Sequence, residues 1–114
     1  MRVLFHPAVD EITVEGILHA FSDPVRIQIF SNLATSESAQ NCSTFLTLKK
    51  QHLPKSTLSQ HFRVLREAGL IRSERKGVEL SNVTRCKELR ARFGPMVQNI
   101  VEAYAMQQKT KKKK

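Results

Sequence analysis

Tryptophan is absent, and six phenylalanines and one tyrosine are the only aromatics among 114 residues. Any core must therefore be built mainly from aliphatic side chains. Cysteine occurs only twice, which excludes a disulfide scaffold, and the two lack the repeated close pairs of a structural zinc site. No apolar run approaches the roughly 20 residues of a membrane-spanning helix. The opening Met1-Arg2-Val3-Leu4-Phe5-His6-Pro7 has too short an apolar stretch for a secretory leader. The expectation is a soluble protein of a reducing cytoplasm, with no membrane partner. Catalytic signatures are missing too: there is no Gly-rich phosphate loop, Gly-x-Ser-x-Gly, His-x-x-x-His or Cys-x-x-Cys. Glu11 and Glu15 share helical spacing without a histidine, and no carboxylate cluster accompanies the basic segment. The chain reads as no enzyme, with no cofactor and no metal site.

What the sequence has is positive charge. Nineteen lysines and arginines against ten acidic residues give +9 and a pI near 10.1. Residues 1–48 carry two basic and five acidic groups, and residues 49–76 carry eight and two. Residues 77–114 carry nine and three, five of those nine being Lys109 and Lys111 to Lys114. The excess thus belongs to the middle of the chain as well as to its end, and it favours anionic partners, nucleic acid before an anionic membrane surface. A hydrophobic content of 40% supports one core, so residues 8–108 are expected to form a single domain and 109–114 a disordered Lys-rich tail.

Apolar spacing places a first helix from about Ala8 to Phe21, with Val14, Ile17, Leu18 and Phe21 on one face. Asp23-Pro24 is an N-cap followed by a first-turn proline, starting a second helix that runs to about Ala34. Its apolar residues spread round the circumference, as in a helix buried mid-domain. Residues 35–43 read as a loop, Thr44 to Lys50 as a short third helix, and Gln51 to Pro54 as a turn. A fourth helix follows to Ala68 with the stripe Leu58, Phe62, Leu65, and Gly69 stands where a left-handed cap is wanted. Leu70-Ile71 opens a strand, Lys76-Gly77 turns it, and Val78, Leu80 and Val83 lie on the return. Cys86 to Phe93 is helical, Gly94-Pro95 breaks it, and a last helix runs from Pro95 to about Gln108 with Met96, Val97, Ile100, Ala103 and Tyr104 on its apolar face. The fold class is mainly α with a small β-hairpin.

Two helices joined by a turn, then a basic hairpin, are the parts of a winged helix-turn-helix. With Leu58, Phe62 and Leu65 turned inward, the fourth helix presents Ser56, Ser59, Gln60, Arg63 and Glu67. Hydroxyls and an amide suit base edges in a major groove, and the helix N-terminus suits phosphate. Glu67 would be repelled by phosphate, so the N-terminal half enters the groove. Residues 54–68 are the expected recognition helix and 70–84 the wing, whose Arg72, Arg75 and Lys76 would reach phosphate or the minor groove.

The stretches Ala20-Phe21-Ser22-Asp23-Pro24-Val25-Arg26-Ile27 and Lys55-Ser56-Thr57-Leu58-Ser59-Gln60-His61-Phe62-Arg63-Val64-Leu65-Arg66-Glu67-Ala68-Gly69-Leu70-Ile71 resemble the ArsR (SmtB-type) winged-helix repressors over about residues 12–108. The resemblance implies a sequence-specific DNA-binding repressor, active as a homodimer on an operator expected to be an inverted repeat. It implies dimerisation through the terminal helices, which points to Val14, Ile17, Leu18, Val97, Ile100 and Tyr104, and it brings Lys55, Thr57 and His61 into the DNA-binding set. Metal-sensing members carry Cys-x-Cys at the third helix; here Asn41-Cys42-Ser43-Thr44 has one cysteine. The final helix offers neither Asp nor His, so the metal half of the resemblance does not transfer. Cys42, with Cys86, is the candidate thiol sensor. His52 reads as solvated, and His6 and His19 have no partner legible in the sequence. The other readings of the same residues are a non-specific nucleic-acid binder and a winged helix that only binds protein.

Overall fold

The computed structural model describes residues 4–35, 40–41 and 54–112. The expected third helix, the turn before Pro54, Cys42 and His52 lie outside the described residues, as does the side chain of Lys76.

Residues 4–8, outside any helix or strand, lead into a 3-10 turn, Val9–Glu11, before helix α1, Val14–Ala20. The single helix expected from Ala8 is thus divided, and local hydrogen bonds explain why. The Ala8 N–H donates to the Glu11 carboxylate at 2.7 Å, closing the first turn on itself. The Gly16 N–H donates to the Thr13 hydroxyl at 3.0 Å, which starts a second helix there. Ile12, extended between the two caps, is driven into the core at 2% exposure.

Helix α2, Pro24–Thr35, begins as its cap predicts: the Val25 N–H donates to the Asp23 carboxylate at 2.8 Å. Ile27, Ile29, Phe30 and Leu33 are all buried, so the helix occupies the middle of the domain. Phe21 and Phe30 meet edge to face with ring centroids 5.3 Å apart.

Helix α3, Lys55–Glu67, follows the described pair β1, Gln40–Asn41. It buries Leu58, Phe62 and Leu65, the expected stripe, and Arg66 beside it. Each fully buried aliphatic or aromatic side chain contributes about 1.5–3 kcal/mol, which holds the helix against α2. Gly69 ends the helix with φ +85°, its N–H reaching the Arg66 carbonyl and the Leu70 N–H the Leu65 carbonyl. That is a Schellman cap, and it aims the chain directly into the wing.

The wing is β2, Ile71–Lys76, paired antiparallel with β3, Glu79–Thr84, across a two-residue turn whose Gly77 has φ +65°. β1 adds to the far side of β3, with Gln40 opposite Asn82, giving the order β1-β3-β2. The sequence reading has a loop at 40–41, because two polar residues carry no strand periodicity. Helix α4, Cys86–Phe93, stops at Gly94-Pro95 as expected. Helix α5, Met96–Lys112, continues past the expected end at Gln108 into the lysine run.

Gly69 allows a prediction. A Cβ there would fall on the Ile12 side chain, and the backbone is left-handed. Gly69→Ala should cost about 2–4 kcal/mol, conformational penalty and overpacking together. Urea unfolding measures it; a change under 0.5 kcal/mol would contradict the close approach.

Candidate nucleic-acid interface

The face of α3 opposite its buried stripe is open. Lys55, Ser56, Thr57, Ser59, Gln60 and Arg63 are exposed, and His61 is half-buried at the edge of the stripe. The N-cap residue Pro54 has no side chain able to accept a hydrogen bond, so among the described residues no side-chain cap occupies the first-turn N–H groups, the kind of donors that suit an anion. Hydroxyls and one amide occupy the N-terminal half, where this partial positive charge is greatest. At the other end Arg63 donates to Glu67 at 3.0 Å. Both members are well exposed, so the pair adds little stability, but it neutralises the acidic residue on this face.

His61 has a neighbour that the sequence reading does not assign. The guanidinium of Arg26 on α2 lies 3.4 Å from His61 Nδ1. Arg26 is itself anchored, donating to the Ala20 carbonyl at 2.7 Å and facing Asp23 at 3.9 Å. It places a largely buried, Asp23-paired cation beside His61 at the edge of α3.

The wing joins α3 through a buried polar chain. Arg66 donates to the Ser73 hydroxyl at 3.1 Å, and that hydroxyl donates to the Asn82 side-chain carbonyl at 2.6 Å. Arg66, Ser73 and Asn82 are all buried, and among the described residues no buried side-chain polar atom lacks a partner. Such a satisfied network fixes one arrangement of the helix against the hairpin.

Arg72 and Arg75 are both exposed on β2, but the strand separates them. Successive side chains point to opposite faces, so Arg75 shares the side of buried Ile71 and Ser73, while Arg72 lies on the other. There Arg72 faces Glu88 of α4 at 3.4 Å. The same carboxylate takes two bonds from the buried Arg85, at 2.7 and 3.2 Å. Hydrogen bonding from Arg85 holds the Glu88 carboxyl below its usual range, with the charges of Arg85 and Arg72 acting in the same direction.

His6 does have a partner. Its Nε2 accepts the Ser73 backbone N–H at 3.0 Å. Burial pushes the imidazole pKa down, and the charges of Arg72, Arg66 and Arg85 push it further. Arg85 also donates to the Pro7 carbonyl at 2.8 Å and Arg92 to that of Val9 at 3.0 Å, so the whole N-terminal arm is tied to the wing base and α4.

Of the residues expected at a dimer face, Ile17 and Val97 belong to this chain's own core, at 0% and 5% exposure. Val14 and Leu18 are exposed, at 39% and 52%. Ile100 and Tyr104 are half-buried, and the Tyr104 hydroxyl accepts from Gln28 at 3.1 Å. Cys86 is an exposed free thiol. It lines a cavity of about 360 Å³ between α2, α4 and α5, walled by Phe30, Leu89, Val97 and Val101. Among the described residues no group of three or more His, Cys, Asp or Glu is placed to hold a metal ion, and no helix is long and apolar enough to cross a membrane.

A family model for a helix-turn-helix domain matches residues 21–74, from the end of α1 into the wing. The fold is similar to that of an ArsR-like transcriptional regulator from Rhodococcus sp. RHA1, with TM-score 0.57 and 20% identity, covering 87% of this chain and 89% of that one. It is equally similar to the crystal structure of an ArsR family transcriptional regulator, with TM-score 0.58 and 21% identity over 89% of this chain and 97% of that one. No curated protein matches the sequence significantly. The winged helix-turn-helix expected from the sequence is the fold observed.

Proposed function

We propose that this chain, an ArsR-type winged helix-turn-helix regulator, binds specific double-stranded DNA as a homodimer in the cytoplasm and represses transcription from an inverted-repeat operator. The observation that carries this reading is the polar face of α3: Ser56, Ser59 and Gln60 stand free on a helix whose other face is locked in the core. Arg63 and His61 flank them, and Arg26 lies behind His61. Arg75 extends the surface toward backbone phosphate, and Lys76, next in sequence, is proposed for the same role. Arg72, paired with Glu88 on the opposite side of the hairpin, has the weaker claim of the three.

Base-reading and phosphate-binding residues should separate in a binding experiment. Ser59→Ala or Gln60→Ala should cost about 1–3 kcal/mol on the preferred duplex and relax selectivity at particular bases. Arg75→Ala or Lys76→Ala should weaken all duplexes alike and reduce the salt slope by about one per lost contact. If the two kinds of variant lose affinity in the same way on every duplex, the reading changes to non-specific binding.

The exposed Val14 and Leu18 on α1, with Ile100 and Tyr104 on α5, offer a partner an apolar surface contributed by both terminal helices. Leu18→Asp leaves the chain's own core intact, so it should give a folded monomer at micromolar concentration, whereas the unmodified protein sediments as a dimer. An unmodified monomer would refute the dimer.

The proposed signal is thiol chemistry. Cys86 begins α4 and opens onto the cavity between α2, α4 and α5, so a modified sulfur there would press on the helix that supports α3. Oxidant, persulfide and thiophilic metal should each change DNA affinity, and Cys86→Ser with Cys42→Ser should abolish the response. Indifference to all three reagents would leave a repressor without a thiol signal.

A further inference from the structure

β2 is an edge strand, since the sheet order is β1-β3-β2. An edge strand leaves outward N–H groups without a neighbouring strand. At Ser73 that donor is met by a side chain, His6 Nε2 at 3.0 Å, from a residue 67 positions away. The acceptor must be an unprotonated nitrogen, so the contact exists only while the imidazole is neutral. Every charged group identified as acting on His6 is cationic: Arg66 from α3, Arg72 from β2 and Arg85 from the start of α4. The nearby carboxylate, Glu88, is already taken by Arg85 and Arg72. A proton on His6 would therefore remove the hydrogen bond and add a fourth cation to three.

The contact falls at the joint of the DNA-facing surface. Ser73 is the residue whose hydroxyl links Arg66 of α3 to Asn82 of β3, and Arg75 lies two residues further along the same strand. Holding the Ser73 backbone thus holds the wing in register with α3.

We propose that His6 is a positioning residue for the wing: as a neutral imidazole it caps β2 at Ser73 and keeps the hairpin aligned with the recognition helix, and on protonation it lets go. This rests on the DNA-binding reading for its consequence, though the contact itself does not. Because burial and three arginines oppose the charge more than a hydrogen bond to the Leu4 backbone favours it, the docked arm is fully favoured above the ordinary histidine value of 6.5 and is lost as pH falls below it. Glu88, held below its usual range, keeps its charge through that window. The added cation raises affinity for every duplex; lost wing phosphate contacts weaken every duplex alike, but lost register between the wing and α3 also misplaces the base-reading helix, which weakens the specific complex further. The telling quantity is their ratio.

The ratio of affinities for the preferred and a scrambled duplex should be measured from pH 7.5 to 5.5 at constant ionic strength. It should fall about three- to tenfold in the unmodified protein, the range that one net hydrogen bond carries. His6→Gln places an amide oxygen near the position of Nε2 and cannot gain a proton, so its ratio should stay level. His6→Ala should be low at every pH. The other three histidines are common to all three proteins and cancel in the comparison. NMR of the free protein supplies an arm that does not depend on DNA: the Ser73 amide should shift with the His6 ring titration. Parallel ratio profiles for the unmodified protein and His6→Gln would overturn the proposal, as would a Ser73 amide indifferent to His6. If no duplex is preferred at pH 7.5, it is the DNA-binding reading that fails, and the Ser73 titration still decides the clamp.

Discussion

A buried guanidinium must have its donors satisfied or it destabilises the fold that contains it. Arg66, with 9% of its surface exposed, meets that demand by reaching from the recognition helix to Ser73 in the wing, and Ser73 passes the requirement on to Asn82. The helix and hairpin are thereby joined by polar contacts whose geometry is specific, in addition to apolar contacts that tolerate sliding. A protein that sets a helix in one groove and a hairpin on the neighbouring backbone needs that rigidity, because a small error at the joint is magnified at the wing tip. The Schellman cap at Gly69 serves the same end from the backbone side, by fixing the direction in which the chain leaves α3.

The charge distribution acquires a structural meaning from this joint. Part of the positive charge counted along the sequence is not a free cationic coat. Arg66 is buried, Arg85 is bound to Glu88 and the Pro7 carbonyl, and Arg72 faces Glu88. These arginines assemble the platform. Arg75 on the wing and Lys55 and Arg63 on α3 remain at the surface, and Arg26, largely buried and paired with Asp23, lies beside His61 at the edge of α3. Architecture and ligand binding thus divide one population of arginines between them.

Much of the frame was legible in the sequence because its signals are local. The spacing of Leu58, Phe62 and Leu65 fixed which face of α3 is buried, and hence which residues are presented outward. Asp23-Pro24, Gly69 and Gly94-Pro95 marked boundaries through capping and backbone conformation, and the hairpin followed from Gly77 between short apolar segments. The joint was not legible. Arg66 sits beside the stripe at a position where charged residues are ordinarily solvated, and only a partner on another element makes its burial tolerable. His6 with Ser73, and Arg85 with Pro7, lie 67 and 78 residues apart, beyond any periodicity. The division of the N-terminal segment was missed for the opposite reason: Glu11 and Thr13 offer competing local hydrogen bonds that an apolar count does not weigh.

The central claim is that the exposed face of α3, held by the wing joint, reads a particular DNA sequence. Selection of bound duplexes from a random-sequence pool, followed by footprinting of the winner, tests this most directly. Two related half-sites should emerge with centres about 34–36 Å apart, one helical turn, as a two-fold pair of recognition helices requires. A pool that emerges unenriched, with uniform protection along every duplex, would contradict the account.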